Sequence, residues 1–173
     1  MTRVPMLPEE AESPELKPVF DQLRRTRGRV PGMYRTLAHH PAILAAHRGY
    51  FNAALDEGHL TRAFKERIVF KVVRECGSEY STSTHRAYAL RLGATEKELE
   101  AIERSDYGSL EPRLAVAVEF AAAMVKGGGK VPDALFERMK TFYSTQEFIE
   151  IAAMVAVVEL GCTLGAVFDL QAE

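Results

Sequence analysis

Apolar residues along this chain recur at three- and four-residue spacing between Gly, Pro and capping residues, and strict alternation never lasts. Leu16, Val19, Phe20 and Leu23 share one helical face; Ser13 and Pro14 suit the helix start and Gly28 its end. Pro31-Gly32 reads as a turn, and a short helix follows over about 33–38. Pro41 breaks the chain after His39-His40, and Ile43, Leu44, Ala46, Phe51, Ala54 and Leu55 then stripe a helix over 42–55 that Gly58 stops. Thr61 caps a helix reaching about 75, with Phe64, Ile68, Val69, Val72 and Val73 on a broad apolar face. Gly77 suits the left-handed residue after a helix, and Ser78 or Ser81 opens the next, to about 92.

Thr95 with Glu98 and Ser144 with Glu147 are capping boxes, opening a helix over 96–104 and a long apolar one that ends near 168. Residues 114–125 are almost wholly apolar, which predicts a buried helix, and Pro132 starts another that reaches 142. The fold class is therefore all-α, in one domain over 1–173 with a proline-rich arm and helix at 1–30. A weak repeat at an offset of 84 aligns Phe64, Glu66, Val73, Glu75 and Gly77 with Phe148, Glu150, Val157, Glu159 and Gly161. It predicts two helical hairpins about a pseudo-twofold axis, with the chemistry in the first, since the second has no counterpart of His85.

Composition narrows the functional classes. With 173 residues and 47% apolar content the chain can bury a sizeable core. A net charge of -2 with scattered basic residues gives no nucleic-acid footprint, and the run Arg24, Arg25, Arg27, Arg29 reads as a solvated helix end. The polar N-terminus carries no signal peptide, and Glu159 interrupts the most apolar stretch, which fits a core or subunit-interface helix better than a membrane span. Two cysteines imply no disulfide framework and, by default, a reducing cytoplasm. Cys76 has no second cysteine within a few residues; pairing with Cys162 requires the repeat to bring them together. His39, His40 and His47 read as helix-terminus and surface residues without the companions of a metal site, so neither metal nor cofactor is expected.

The candidate chemistry lies in 66–85. Ser78, Ser81 and His85 are spaced i, i+3, i+7 and share one helix face, with the two serines at its positive end. After a tight reversal at Gly77, His85 comes level with Glu66 on the preceding helix. A carboxylate bonded to an imidazole fixes its tautomer and makes an acid–base centre near neutral pH. The same residues also fit a structural account, Ser78 as an N-cap, Glu66 and His85 as an ion pair between packed helices, and Tyr80 as packing.

The pattern Glu66, Ser78-x-Tyr80-Ser81, His85, followed by Leu92-Gly93-Ala94-Thr95, resembles the carboxymuconolactone decarboxylase family, which includes the alkylhydroperoxidase D-like peroxidases. The segments around Arg27–Pro31 and Leu37–Pro41 are similar to the family's lead-in. Ser78 and Ser81 stand where the peroxidases have their Cys-x-x-Cys, so this is a cysteine-free motif variant, and hydroxyls cannot cycle through a disulfide. Gly77, Tyr80 and His85 fit the cysteine-free branch, whose Glu-Trp is here Ser81-Thr82. The resemblance implies an alkylhydroperoxidase D-like bundle assembling as a homo-oligomer, trimer or hexamer, with helices 114–125 and 148–168 supplying interface. It implies a cofactor-free enzyme for a small carboxylated or lactone-like substrate, with His85, Glu66 and Tyr80 catalytic and Ser78 and Ser81 binding. The alternatives are an antioxidant using Cys76 as a single peroxidatic thiol, and a non-catalytic scaffold.

Overall fold

The computed structural model describes residues 2–11 and 13–171, except the side chain of Tyr80. All regular structure in them is helical: α1 Lys17–Arg27, α2 Gly32–Leu37, α3 Pro41–Leu55, α4 Arg62–Glu75, α5 Glu79–Arg91, α6 Glu96–Arg104, α7 Pro112–Lys126, α8 Asp133–Phe142 and α9 Thr145–Val167, with a 3-10 turn at Tyr107–Ser109. Side chains set most boundaries. The hydroxyls of Thr61, Ser78, Thr95 and Ser144 accept backbone N–H bonds at the starts of α4, α5, α6 and α9, and both capping boxes are closed. Left-handed Gly28 and Gly77, at φ 77° and 65°, follow the ends of α1 and α4. Helix α1 starts later than its pattern predicts, because the Ser13 hydroxyl and carbonyl first close a turn onto the Leu16 N–H.

Helix α4 is the centre of the bundle. It packs against α5, α6, α7 and α9, and its residues are buried nearly all round, Lys65, Glu66 and Lys71 included. Ion pairs make those charges tolerable. Lys65 Nζ lies 2.9 Å from Glu150 Oε2 on α9 and donates to the Asp56 carbonyl at 2.8 Å. Glu150 also accepts the His59 and Leu60 amides, tying the loop before α4 to α9. Lys71 Nζ lies 2.6 Å from Glu75 and donates to Ser105 Oγ at 2.7 Å.

Gly58 makes the Glu150 clamp possible: a Cβ there would sit 2.5 Å from Glu150 Oε1. Gly58→Ala should therefore push the carboxylate off Lys65 and cost about 1–3 kcal/mol, through a buried charge left short of its partner. Urea unfolding should show a lower midpoint at unchanged slope. A midpoint equal to wild type would mean that the loop yields without disturbing the pair.

The two repeat units diverge after their shared glycine. Gly77 breaks α4 from α5, whereas α9 runs through Gly161 without a turn, so the second unit is one unbroken helix. Ser78 supplies the cap that restarts a helix in the first unit, and Cys162 stands at its aligned position in the second. Helix α7 does not offer the expected interface surface, since Leu114 to Val118 and Phe120 to Ala122 are buried within the chain. Helix α9 exposes Ile149, Leu160 and Val167. With mean hydropathy 1.8 over its most apolar window, α9 alone among the described residues is long and apolar enough to cross a membrane. Its other side packs on α3, α4 and α7, as a core helix does.

Candidate active site

The hairpin of α4 and α5 brings an acid and an imidazole together. Glu66 lies in the middle of α4 and is fully buried; His85 lies two turns into α5, and its Nδ1 hydrogen-bonds Glu66 Oε1. A carboxylate can only accept here, so Nδ1 carries the proton and Nε2 remains as acceptor. The second Glu66 oxygen lies 3.0 Å from Arg62 Nη2, an ion pair without hydrogen-bond alignment. Burial pushes the Glu66 carboxyl up, but His85, Arg62 and Arg27 together hold it below its ordinary value. Glu66 is thus a fixed anion that orients His85.

His85 opens onto a cavity of about 150 Å³ between α2, α3, α5 and α9 and the end of α1. A cavity of about that volume admits a molecule of roughly benzene's bulk. Ser81, Thr84, His85 and Tyr88 face it from α5, followed a turn later by Arg91. Their spacing i, i+3, i+4, i+7 is one helix stripe, and a polar stripe turned inward lines a space rather than packing a core. Tyr34, Met33, His47, Phe51 and Val158 give the remaining wall its apolar and aromatic character.

The charge in the cavity is positive. Arg27 and Arg29 line it from the end of α1, and Arg91 from the end of α5. The guanidinium groups of two of them lie over aromatic faces: Arg27 over Phe51 at 5.6 Å, Arg91 over Tyr88 at 4.4 Å. His47 is buried between Tyr34 and Phe51, with its pKa lowered by burial and by Arg48. Neither of its ring nitrogens meets a hydrogen-bond partner among the described residues, so this neutral imidazole has a donor and an acceptor to offer a ligand.

Of the residues singled out in the sequence, the fold joins Glu66, His85 and Ser81. Ser78 is set back from the cavity: its hydroxyl caps α5 by accepting the Ser81 N–H at 3.3 Å and donates to Ser81 Oγ at 3.0 Å. Its expected substrate contact is replaced by a supporting one, because an N-cap hydroxyl must turn toward its own helix. The Tyr80 side chain lies outside the described residues. Cys76 stands behind the wall, and it is Cys162 that lines the cavity. His47 is not a surface residue, and Arg27 and Arg29 are half-buried and line the cavity, with Arg27 over the Tyr34 and Phe51 rings. Tyr88 and Arg91 could have been found by carrying the stripe of Ser81 and His85 one turn further; nothing local marks Tyr34, His47 or Cys162.

Residues 41–123 match the model of the carboxymuconolactone decarboxylase family. No curated protein sequence matches the chain. Among solved structures, a variant of the debrominase Bmp8 in complex with 2,3,4-tribromopyrrole is similar at TM-score 0.87 and 23% identity, over 100% of this chain and 92% of that one. An alkylhydroperoxidase AhpD core protein from Ralstonia eutropha JMP134, described as peroxidase-related, is similar at 0.86 and 21%, over 99% and 92%. A peroxidase-related protein from Silicibacter sp. TM1040 follows at 0.84 and 20%, over 100% and 95%. Over residues 41–123 the chain is therefore similar to the carboxymuconolactone decarboxylase family, and its helical fold is alkylhydroperoxidase D-like.

Proposed function

We propose that this chain is a cofactor-free acid–base enzyme acting on a small carboxylated, lactone-like molecule. The observation that carries the reading is the hydrogen bond of His85 to a buried carboxylate at the wall of a cavity lined by three arginines. His85 Nε2 takes or delivers the proton, Glu66 fixes the tautomer and stabilises the imidazolium, and Ser81 and Tyr88 hold ring or carbonyl oxygens. In a decarboxylation the C–C bond to the leaving carboxylate breaks as CO₂ departs, its electron pair moves into the conjugated carbonyl, and the resulting enolate takes a proton at carbon from His85. An arginine on the departing carboxylate would oppose its loss. The arginines serve better on a second carboxylate and on the developing enolate oxygen. The open cavity and its cationic lining disfavour a scaffold that has lost its chemistry, which has no reason to keep charge around an empty space.

The test is a panel of unsaturated five-membered lactones, each with and without a carboxylate, assayed in heavy water. CO₂ release and deuterium at the protonated carbon are the readouts. The carboxylated members should turn over and their esters should not. Turnover of the esters at equal rate, or of no member at all, would overturn the reading. In the same assay Arg27→Met should raise KM by about ten- to a hundredfold with kcat changed little, the worth of a hydrogen bond to a charged group. A fall in kcat with KM unmoved would place Arg27 on the reacting atoms instead.

A further inference from the structure

Acid–base chemistry at His85 makes no use of a second imidazole on the cavity wall. His47 reaches the cavity from α3, whereas Ser81, His85 and Tyr88 reach it from α5. His47 is 7% exposed, and both its ring nitrogens are buried without a hydrogen-bond partner among the described residues. Folded proteins rarely leave a buried polar group in that state, because the lost bonds to water are not replaced. The surroundings hold the ring without satisfying it. Phe51, one turn on along α3, stacks on it at 6.1 Å and 24°, and the Tyr34 ring tilts against it at 5.9 Å. The Tyr34 hydroxyl is engaged by Arg48, which donates to it at 3.0 Å and to Asn52 Oδ1 at 2.7 Å. Arg48 is buried beside the same two rings, 5.0 Å from the Tyr34 centroid and 5.1 Å from that of Phe51, and those two bonds go to uncharged oxygens. A second cation there would be repelled, so His47 stays neutral, and its lowered pKa agrees. Among the described residues no three His, Cys, Asp or Glu side chains gather as a metal site needs, so a metal ion does not fill the open place.

The cavity limits what the missing partner can be. Its volume of about 150 Å³ suits a ring-sized molecule, its aromatic faces a planar one, and Arg27, Arg29 and Arg91 a carboxylate. A neutral imidazole offers one N–H and one lone pair. A hydroxyl is the smallest group that can either give or accept a proton, so it completes whichever nitrogen it meets. We propose that His47 selects a hydroxyl group on a ring-sized carboxylate bound in this cavity. The carboxylate rests on the function proposed above; the hydroxyl is new. His47 touches the ligand through this hydrogen bond and takes no part in moving the substrate proton. An analogue without the hydroxyl displaces water from the imidazole and gives nothing back, and it binds more weakly for that reason.

Calorimetry on the full chain compares benzoate with its ortho, meta and para monohydroxy derivatives, all of them planar carboxylates that bind without turnover. The three isomers set the hydroxyl at three distances from the carboxylate. At least one should bind about tenfold more tightly than benzoate. His47→Phe keeps a stacked ring and removes both nitrogens; it should bind benzoate as wild type does and bring the preferred isomer down to the same affinity. His47→Gln restores a donor and an acceptor and should recover part of the preference. In wild type the imidazole nitrogen resonances of His47 should shift with the preferred isomer and hold still with benzoate, which decides the matter even where a variant folds poorly. A preference that survives in His47→Phe, equal affinity for all four acids, or binding of none of them overturns the assignment. The readouts are equilibrium binding and resonance position. Lactone turnover can therefore fail at His85 with the His47 preference intact, and the preference can vanish while turnover stands.

Discussion

His85→Gln is expected to lower turnover of the carboxylated lactone by about 10²- to 10⁴-fold, the span that a positioned general acid or base commonly contributes. The glutamine amide can still donate a hydrogen bond toward Glu66, so the buried carboxylate keeps a partner and the fold should persist. What the variant lacks is an imidazole nitrogen that can take and give back a proton. The loss should fall on kcat and on kcat/KM alike, because the proton moves only in the transition state. Deuterium incorporation should fall with CO₂ release if His85 delivers the proton. Release that continues with racemic or slow labelling would mean that solvent protonates the enolate, and that His85 positions the substrate without handling the proton. Unchanged turnover would remove the role altogether.

Glu66 should dominate the other large effect, on stability. Glu66→Ala leaves Arg62 and His85 facing each other with no anion between them, and breaking a buried pair in this way costs about 3–5 kcal/mol. Glu66→Gln keeps the shape and hydrogen-bonding capacity and should cost less. The pH dependence gives a sharper test. The carboxyl titrates lower in the folded chain than its ordinary value of 4.5, so the unfolded chain binds the proton first as pH falls. The stabilisation is complete above that ordinary value and is lost as pH drops through the lower folded one. Glu150, held down against burial by the His59 amide and then Lys65, and Glu75, held down by Lys71 and Lys126, lose theirs in the same acid range. The difference between wild type and Glu66→Gln isolates Glu66: the two unfolding free energies should converge as pH falls from neutral toward 3. Parallel curves at constant separation would mean that the Glu66 contribution is packing and not charge.

The local signals in the chain proved informative where a single residue decides a boundary. Thr61, Ser78, Thr95 and Ser144 begin helices, and Gly28 and Gly77 follow helix ends, because a cap acts on amides within its own turn and a left-handed residue acts on its own backbone. The meeting of Glu66 and His85 was legible for a related reason. They are 19 residues apart across one tight turn, so helix rise alone sets them level. The glycine signal did not carry over to Gly161, where Cys162 stands in the place of the capping Ser78 and α9 continues. The arginines at the end of α1 depart from their local signal too: their spacing is that of a solvated helix terminus, and only the tertiary fold sets Arg27 over Tyr34 and Phe51 and brings Arg27 and Arg29 to the cavity wall. Lys65 and Lys71 are buried because Glu150 and Ser105 arrive from distant segments to meet them, which no local signal records.

The sequence by itself determined the helices, their caps and the one hairpin that pairs an acid with an imidazole, since all of these depend on neighbours within a few turns. Only the tertiary structure decided that a cavity exists there, that its charge is positive, that Tyr34 and His47 face it, and that Cys162 rather than Cys76 reaches it. Those features arise where α1, α3, α5 and α9 converge. No periodicity along one helix records which residues another helix, half a chain away, will bring against it.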